Sequence, residues 1–531
     1  MSEQAASFIS GFSAVFFLRQ SLVILMIFAL GAAAGCALRR GRAALTDVLL
    51  YYPLGLSVYA LVSYVILVTG IPFNIITVTG SCLAVAAVSA LAVYKNGWLH
   101  PERFEKKITA AVIITLLCII VISTSGLLPV SVMNDSMYYY SMYPKALVHF
   151  SGYRRNFNVF LTDIGQMTVI INTLPHMYGF NESFGIQTFL NIDTLLLFSY
   201  SVYERAAKKT ERKSAAAASV ILTLILVSSM PYLVMSRWVM SNGYFMCFMF
   251  ICVHTVYASS KEADAGSAKS LMVLSGLMFS VMSFLRMEGC IIAVVLVLCF
   301  ASLEFEGKEL FKYLMLPMLL IFSAYDVRIF LFMNIDAPYT FLTPNKAVIQ
   351  LAALAAVSVY LVFIKGRFLK FTEDKLSLLI PAALLFVNIL LFVYNRSRYI
   401  NNLKSFAGNL SHRSGWGLFP MMILAVYVLC FIAGIGGRLG TGGRFCGPFS
   451  FFKKGPQNRP PVPKIHFRDL CLIAYLLTCL AVGFARGDNL RESIGDSGNR
   501  VLLQVTVLAF YAAAMHLTDL LWPDVEEPAG N

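Results

Sequence analysis

Charge is scarce in this sequence. Asp, Glu, Lys and Arg together make up 13% of 531 residues, about half the share usual in soluble globular domains, so a chain with an ordinary water-facing surface is excluded. Metal and disulfide chemistry lack their usual signs as well. Ten of the eleven cysteines, Cys36, Cys118, Cys252 and Cys299 among them, fall inside apolar segments with no metal-ligand spacing, and they read as small core residues. No glycine-rich loop follows a strand. The Gly- and Pro-rich stretch Gly434 to Pro463 therefore reads as a linker rather than a phosphate-binding loop. No internal repeat is visible, which tells against a transporter built from repeats. The first apolar run has neither a basic region before it nor a small-residue cleavage site after it, and reads as a retained span rather than a signal peptide.

What is present is apolar. Hydrophobic residues account for 58% of the chain and the mean hydropathy is +0.73, so the solvent for most of the chain is lipid. Apolar runs recur at Ser21–Leu38, Leu49–Thr69, Ile108–Leu128, Ala215–Val234, Ala347–Ile364 and Leu376–Tyr394, each close to the roughly 20 residues that cross a hydrocarbon core. Backbone satisfaction in lipid makes them helices. The expected fold is all-α, a polytopic transmembrane helical bundle of about 15 spans.

The formal charge of +14 does not point to nucleic acid, because the basic residues form no single stripe. They cluster between apolar runs, at Arg39-Arg40-Arg42, Lys95 to Lys107, Arg205 to Lys213, Lys365 to Lys375 and Arg438 to Arg468. Placing every cluster in the cytoplasm gives a consistent alternation, with the N-terminus outside and the C-terminus inside. Residues 129–184 then form a large outer loop, in which Tyr138 to Phe150 and Asn158 to Met177 carry the pattern of helices lying in the membrane interface. A second outer loop, 395–417, holds Arg396, Arg398, Lys404, His412 and Arg413 against the usual charge bias of that side, an exception that an anionic ligand would account for. The chain divides into N-terminal spans (1–107), a central block (108–335) and C-terminal spans (336–531) with a cytoplasmic linker at 434–468.

Chemistry is most concentrated in the first outer loop. Asn134-Asp135 is followed by Tyr138-Tyr139-Tyr140, Tyr143-Pro144-Lys145 and Gly152-Tyr153-Arg154-Arg155. A carboxylate at the membrane surface can take a proton from a hydroxyl nucleophile while nearby cations stabilise a departing phosphate. Asp135 can equally cap the helix that follows it, and the two roles are compatible. Arg286 and Glu288, in Phe284-Leu285-Arg286-Met287-Glu288-Gly289, sit at a break between apolar runs, where charge is costly unless paired or solvated; mutual pairing and substrate contact both remain open there. Arg500 in the Asp496 to Leu503 stretch can reach a phosphate or snorkel to the interface. The Trp416-Gly417 pair fits an aromatic-belt anchor.

Asp135, Tyr139, Tyr143-Pro144-Lys145 and Gly152 together resemble the first outer loop of the GT-C superfamily of membrane glycosyltransferases, in particular bacterial members similar to protein O-mannosyltransferases and aminoarabinose transferases. The Arg286-x-Glu288-Gly289 segment and the Arg500 segment are similar to later motifs of the same superfamily. The resemblance covers roughly 108–335 and the end of the chain, and leaves the first three spans outside it. It implies Asp135 as catalytic base, with Asn134, Tyr139, Lys145, Arg154, Arg155, Arg286, Glu288 and Arg500 in contact with substrate. It also implies a polyprenyl-phosphate-linked sugar as donor, a glycan, lipid or protein as acceptor, and a bacterial plasma membrane enzyme working on the outer face. One departure is plain. Where many relatives carry a second acid in the outer loop after the sixth span, this chain has Ser236-Arg237-Trp238 and Asn242-Gly243. Asn242 cannot serve as a base, so a metal held by paired acids is not supported and no cofactor is expected; inversion at a sugar carbon needs only one base.

Two other readings stay open. A polysaccharide polymerase or ligase would use Arg396, Arg398, His412 and Arg413 on a pyrophosphate-linked donor. A transporter or lipid flippase would line its path with Asp193, Asp326, Arg328 and Asp519.

Overall fold

The computed structural model describes residues 14–41, 44–98, 138–179, 184–229, 232, 240–335, 341–365, 369–411, 421–429, 432, 465–486 and 501–522. Among these residues every regular element is helical, and ten helices are long and apolar enough to cross a membrane. The chain forms two compact units, Met1–Leu197 with Leu233–Glu373, and Phe198–Tyr232 with Asp374–Asn531.

In chain order the helices are α1 (Ala14–Leu38), α2 (Tyr51–Thr69), α3 (Ile75–Lys95), α4 (Tyr143–His149), α5 (Gln166–Met177), α6 (Phe184–Ala207), α7 (Arg212–Ser228), α8 (Ser241–Lys261), α9 (Ala265–Ser283) and α10 (Gly289–Phe300). They continue as α11 (Gly307–Phe332), α12 (Pro344–Ile364), α13 (Leu369–Tyr394), α14 (Arg396–Ser411), α15 (Phe467–Arg486) and α16 (Thr506–Leu521).

The first unit is built around α2. Its crossing with α1 depends on two facing glycines. A Cβ on Gly31 would lie 1.7 Å from the Tyr51 carbonyl oxygen, and one on Gly55 would lie 1.9 Å from that of Ile27. Small residues at such a crossing let the backbones meet, which is how helices gain contact where no hydrophobic force separates protein from lipid. Asn74 then starts α3, its side chain accepting from the Ile76 and Thr77 amides at 3.0 Å each.

The two ends of α2 differ in chemistry. At its N-terminal end, Arg39 is buried against Asp47 at 2.8 Å and donates to the Ser267 carbonyl and hydroxyl at 3.0 and 2.7 Å. Arg39, read from sequence as an orientation signal, thus also clamps α1 to the start of α9. At the other end, the Arg328 side chain lies over Gly70, the left-handed residue that closes α2, a favourable place for a cation. The Phe73 amide donates to the Ser151 carbonyl there at 3.0 Å. A 19-residue helix separates the two ends by about 28 Å.

The helical segments within residues 138–179 behave differently from one another. α4 is amphipathic, with Tyr143, Pro144 and Leu147 buried and Lys145 and His149 exposed. α5 does not lie on a surface as its pattern suggested: every residue of it except His176 is buried. The polar positions that imitated a solvated face find partners on neighbouring helices. Thr173 meets the Tyr59 hydroxyl of α2 at 2.8 Å, and Asn172 accepts from Tyr244 of α8 at 2.9 Å.

In the second unit, α14 packs on α15. Asn402 donates to the Leu480 carbonyl at 2.9 Å, and Arg398 lies 4.8 Å over the Phe484 ring. Asp469 is buried, accepting from Tyr427 and facing His516 Nε2 at 3.0 Å. Arg205 and Lys209 pair with Asp519 at 2.8 and 3.0 Å. Cys471 and Cys479 here, and Cys247, Cys252, Cys290 and Cys299 in the first unit, are buried, as their apolar context implied.

Candidate functional site

The turn between α9 and α10 carries the Arg286-Glu288 segment, and α5 fixes it in place. The Met167 amide donates to the Phe284 carbonyl at 3.1 Å, and the Thr168 hydroxyl donates to the Leu285 carbonyl at 2.8 Å. Gly165 allows this contact, because a Cβ there would lie 2.2 Å from the Arg286 nitrogen. The turn is therefore held by backbone carbonyls that a helix interruption leaves without partners in its own chain segment.

Held this way, Arg286 reaches three acceptors. Its Nε donates to Glu288 Oε1 at 2.6 Å, and its Nη1 donates to the Ser241 hydroxyl at 3.0 Å and to Asn242 Oδ1. The two charged side chains are 14% and 12% exposed, so the ion pair is nearly enclosed and its polar surroundings matter. Ser241 and Asn242 open α8, and Ser241 also accepts from the Tyr140 hydroxyl at 2.9 Å. Tyr140, Ser241, Asn242, Arg286 and Glu288 thus form one polar network at a single end of the first unit.

The aromatic part of the loop packs beside this network. Tyr139 meets the Phe160 ring edge-on at 5.5 Å, and Tyr143 stacks on the same ring at 4.8 Å. Tyr153 is buried against Tyr325, ring centres 6.2 Å apart. Burial pushes the phenols of Tyr143 and Tyr153 above their ordinary value. Asp163 accepts from the Phe341 amide at 2.6 Å, and burial pushes its carboxyl up despite the opposing pull of that N–H and of Lys346.

The structure therefore brings Arg286 and Glu288 together, as mutual pairing required, and joins them to the aromatic run that contains Tyr139. Lys145, Arg154 and Arg155 are exposed on the loop, and Arg154 donates to the Phe150 carbonyl at 2.9 Å. Asn134, Asp135 and Arg500 lie outside the described residues, as do His412, Arg413 and the Trp416-Gly417 pair. Sequence reasoning missed Tyr140 and Ser241 as members of the network. It noted Asn242 only for the acid it replaces, whereas its amide oxygen is an acceptor for Arg286. A start of a span carrying Ser-Asn, in a chain with an Arg at a break between apolar runs elsewhere, was the available signal. Among the described residues no group of three or more His, Cys, Asp or Glu is placed to hold a metal ion.

For the other readings, Asp519 is held in its ion pairs and Arg398 is engaged on Phe484, while Asp193 and Asp326 are buried. Comparison with family models, with curated proteins and with solved structures gave no match to this chain.

Proposed function

We propose that this integral membrane protein is a glycosyltransferase of the GT-C kind, with about 15 spans, that passes a sugar from a polyprenyl-phosphate donor to an acceptor on the outer face of a bacterial plasma membrane. The observation that carries the reading is the hydrogen-bonded chain from Tyr140 through Ser241 to Arg286 and Glu288. It joins two of the three sequence segments on which the superfamily resemblance rests. Asp135, five positions before Tyr140 in sequence, is the general base that takes the acceptor's proton. Lys145, Arg154 and Arg155 supply the exposed positive charge that a departing lipid phosphate needs, with Arg500 as a further phosphate contact. The Arg286–Glu288 pair forms a polar wall, its charges already balanced. Purified protein offered a panel of polyprenyl-phosphate sugars should transfer or hydrolyse at least one of them; inertness toward the whole panel overturns the reading.

A further inference from the structure

The second unit contains an apolar cleft that the proposed chemistry does not use. Its volume is about 250 Å³ and it lies between α14, residues 421–429, α15, the segment that leads into α16 and the first turn of α16. Apart from Tyr427 and Thr506, its lining is aliphatic or phenylalanine. The Tyr427 hydroxyl is already engaged, donating to the buried Asp469 carboxylate. The volume falls just below the roughly 300–1,000 Å³ of sites that enclose whole small molecules. It suits a stretch of a single hydrocarbon chain whose other end stays outside.

The wall supplied by α14 says what that other end carries. Leu403, Phe406, Ala407 and Leu410 line the cleft at the three- and four-residue spacing of one helix face. Arg396 precedes Leu403 by seven positions and lies on that same face, two turns toward the helix start. Arg396 and Lys404 are exposed. The helix contains Arg396, Arg398 and Lys404 and no acid. A single residue, Asn395, separates it from the end of α13, a membrane-spanning helix, which puts its cations at the edge of the hydrocarbon. A basic helix with an apolar face at that depth attracts anionic lipid.

We infer that α14 and its cleft hold one anionic phospholipid, with an acyl chain along Leu403, Ala407 and Leu410 and the phosphate against Arg396 and Lys404. This site is independent of glycosyl transfer. It also gives a reason for positive charge in a loop that the orientation rule assigns to the outer side.

Native mass spectrometry of the detergent-purified full-length protein, after delipidation and addition of phosphatidylglycerol or phosphatidylcholine, tests it. The wild type should retain one phosphatidylglycerol per chain, with a preference of about tenfold over phosphatidylcholine. The R396E/K404E protein should lose the preference, and A407W should lose retention by filling the cleft. Because Arg396 and Lys404 are exposed, the charge variant is expected to keep the wild-type melting temperature and so reports binding even if A407W fails to fold. Equal retention of the two lipids by wild type, unchanged preference in R396E/K404E, or a polyisoprenyl phosphate or second protein copy as the retained species would each overturn the assignment.

Discussion

Arg286 brings a full charge into a turn where little water reaches it, and Glu288, Ser241 and Asn242 offset that placement by accepting from its guanidinium. Breaking one side of such a pair strands the other charge, while replacing both with apolar groups of similar size does not. Glu288→Leu alone should therefore cost about 3 kcal/mol of stability, and Arg286→Met with Glu288→Leu should cost clearly less. Thermal unfolding of the four proteins of this cycle in detergent checks it, and single costs that simply add would show that the two side chains do not act as a pair. Asp135 calls for a different separation, between capping and catalysis. Asparagine keeps the size and much of the capping capacity of aspartate but cannot take a proton. Loss of a cap costs only about 1 kcal/mol, whereas general-base assistance is worth about 10²- to 10⁴-fold in rate. Asp135→Asn is expected to fold, to bind donor, and to transfer sugar at least roughly a hundredfold more slowly. Near-normal transfer by well-folded protein would leave Asp135 as a cap.

At the scale of elements, what was legible followed from hydrophobicity, and what was not followed from partners distant in sequence. The apolar runs at Ser21–Leu38 and Leu376–Tyr394 mark spans directly, since lipid tolerates no other backbone there. α5 was misread because Gln166, Asn172 and Thr173 look like a solvated face until Tyr59 and Tyr244 arrive from α2 and α8. The same limit hid Ser241, whose role exists only once Tyr140 and Arg286 converge on it. Backbone approach is equally invisible to periodicity: Gly31→Leu should destabilise the α1–α2 crossing by about 3 kcal/mol, the upper end of what overpacking costs, seen as a fall in melting temperature, and an unchanged value would mean that the crossing is not the contact described. Asp163 joins the loop to the segment before α12, and its titration has a definite sign. Its folded carboxyl titrates above the ordinary value, so the native state favours the proton; its contribution to stability is full below the unfolded value and is lost as pH rises through the folded one. Melting temperature should therefore fall from acid toward neutral pH more steeply in wild type than in Asp163→Asn, which keeps an acceptor for the Phe341 amide. Parallel pH profiles for the two proteins would refute this.

For the whole molecule, the decisive question is which side of the membrane the candidate site faces, because a lipid-linked donor and a cytoplasmic nucleotide sugar are available on different sides. Charge bias assigns the Arg39 cluster to the cytoplasm, and the fold supplies what charge alone cannot, a ruler between the ends. The Arg39–Asp47–Ser267 clamp and the Ser151–Phe73 contact lie at opposite ends of α2, and α2 is long enough to cross a hydrocarbon core. Ser151 must then face the side opposite to Ala263, which is exposed just before α9. In a background freed of reactive native thiols, Ser151→Cys and Ala263→Cys report the two ends separately. Ser151 already occupies a left-handed backbone conformation with a side chain present, so cysteine adds no new backbone strain there. In intact cells an impermeant maleimide should label the cysteine at 151 and spare the one at 263, and permeabilisation should expose both. The opposite result would invert the orientation, place Lys145, Arg154 and Arg155 in the cytoplasm, and remove the outer-face donor from the proposed reaction. Labelling of both positions before permeabilisation would mean that α2 does not cross the membrane at all.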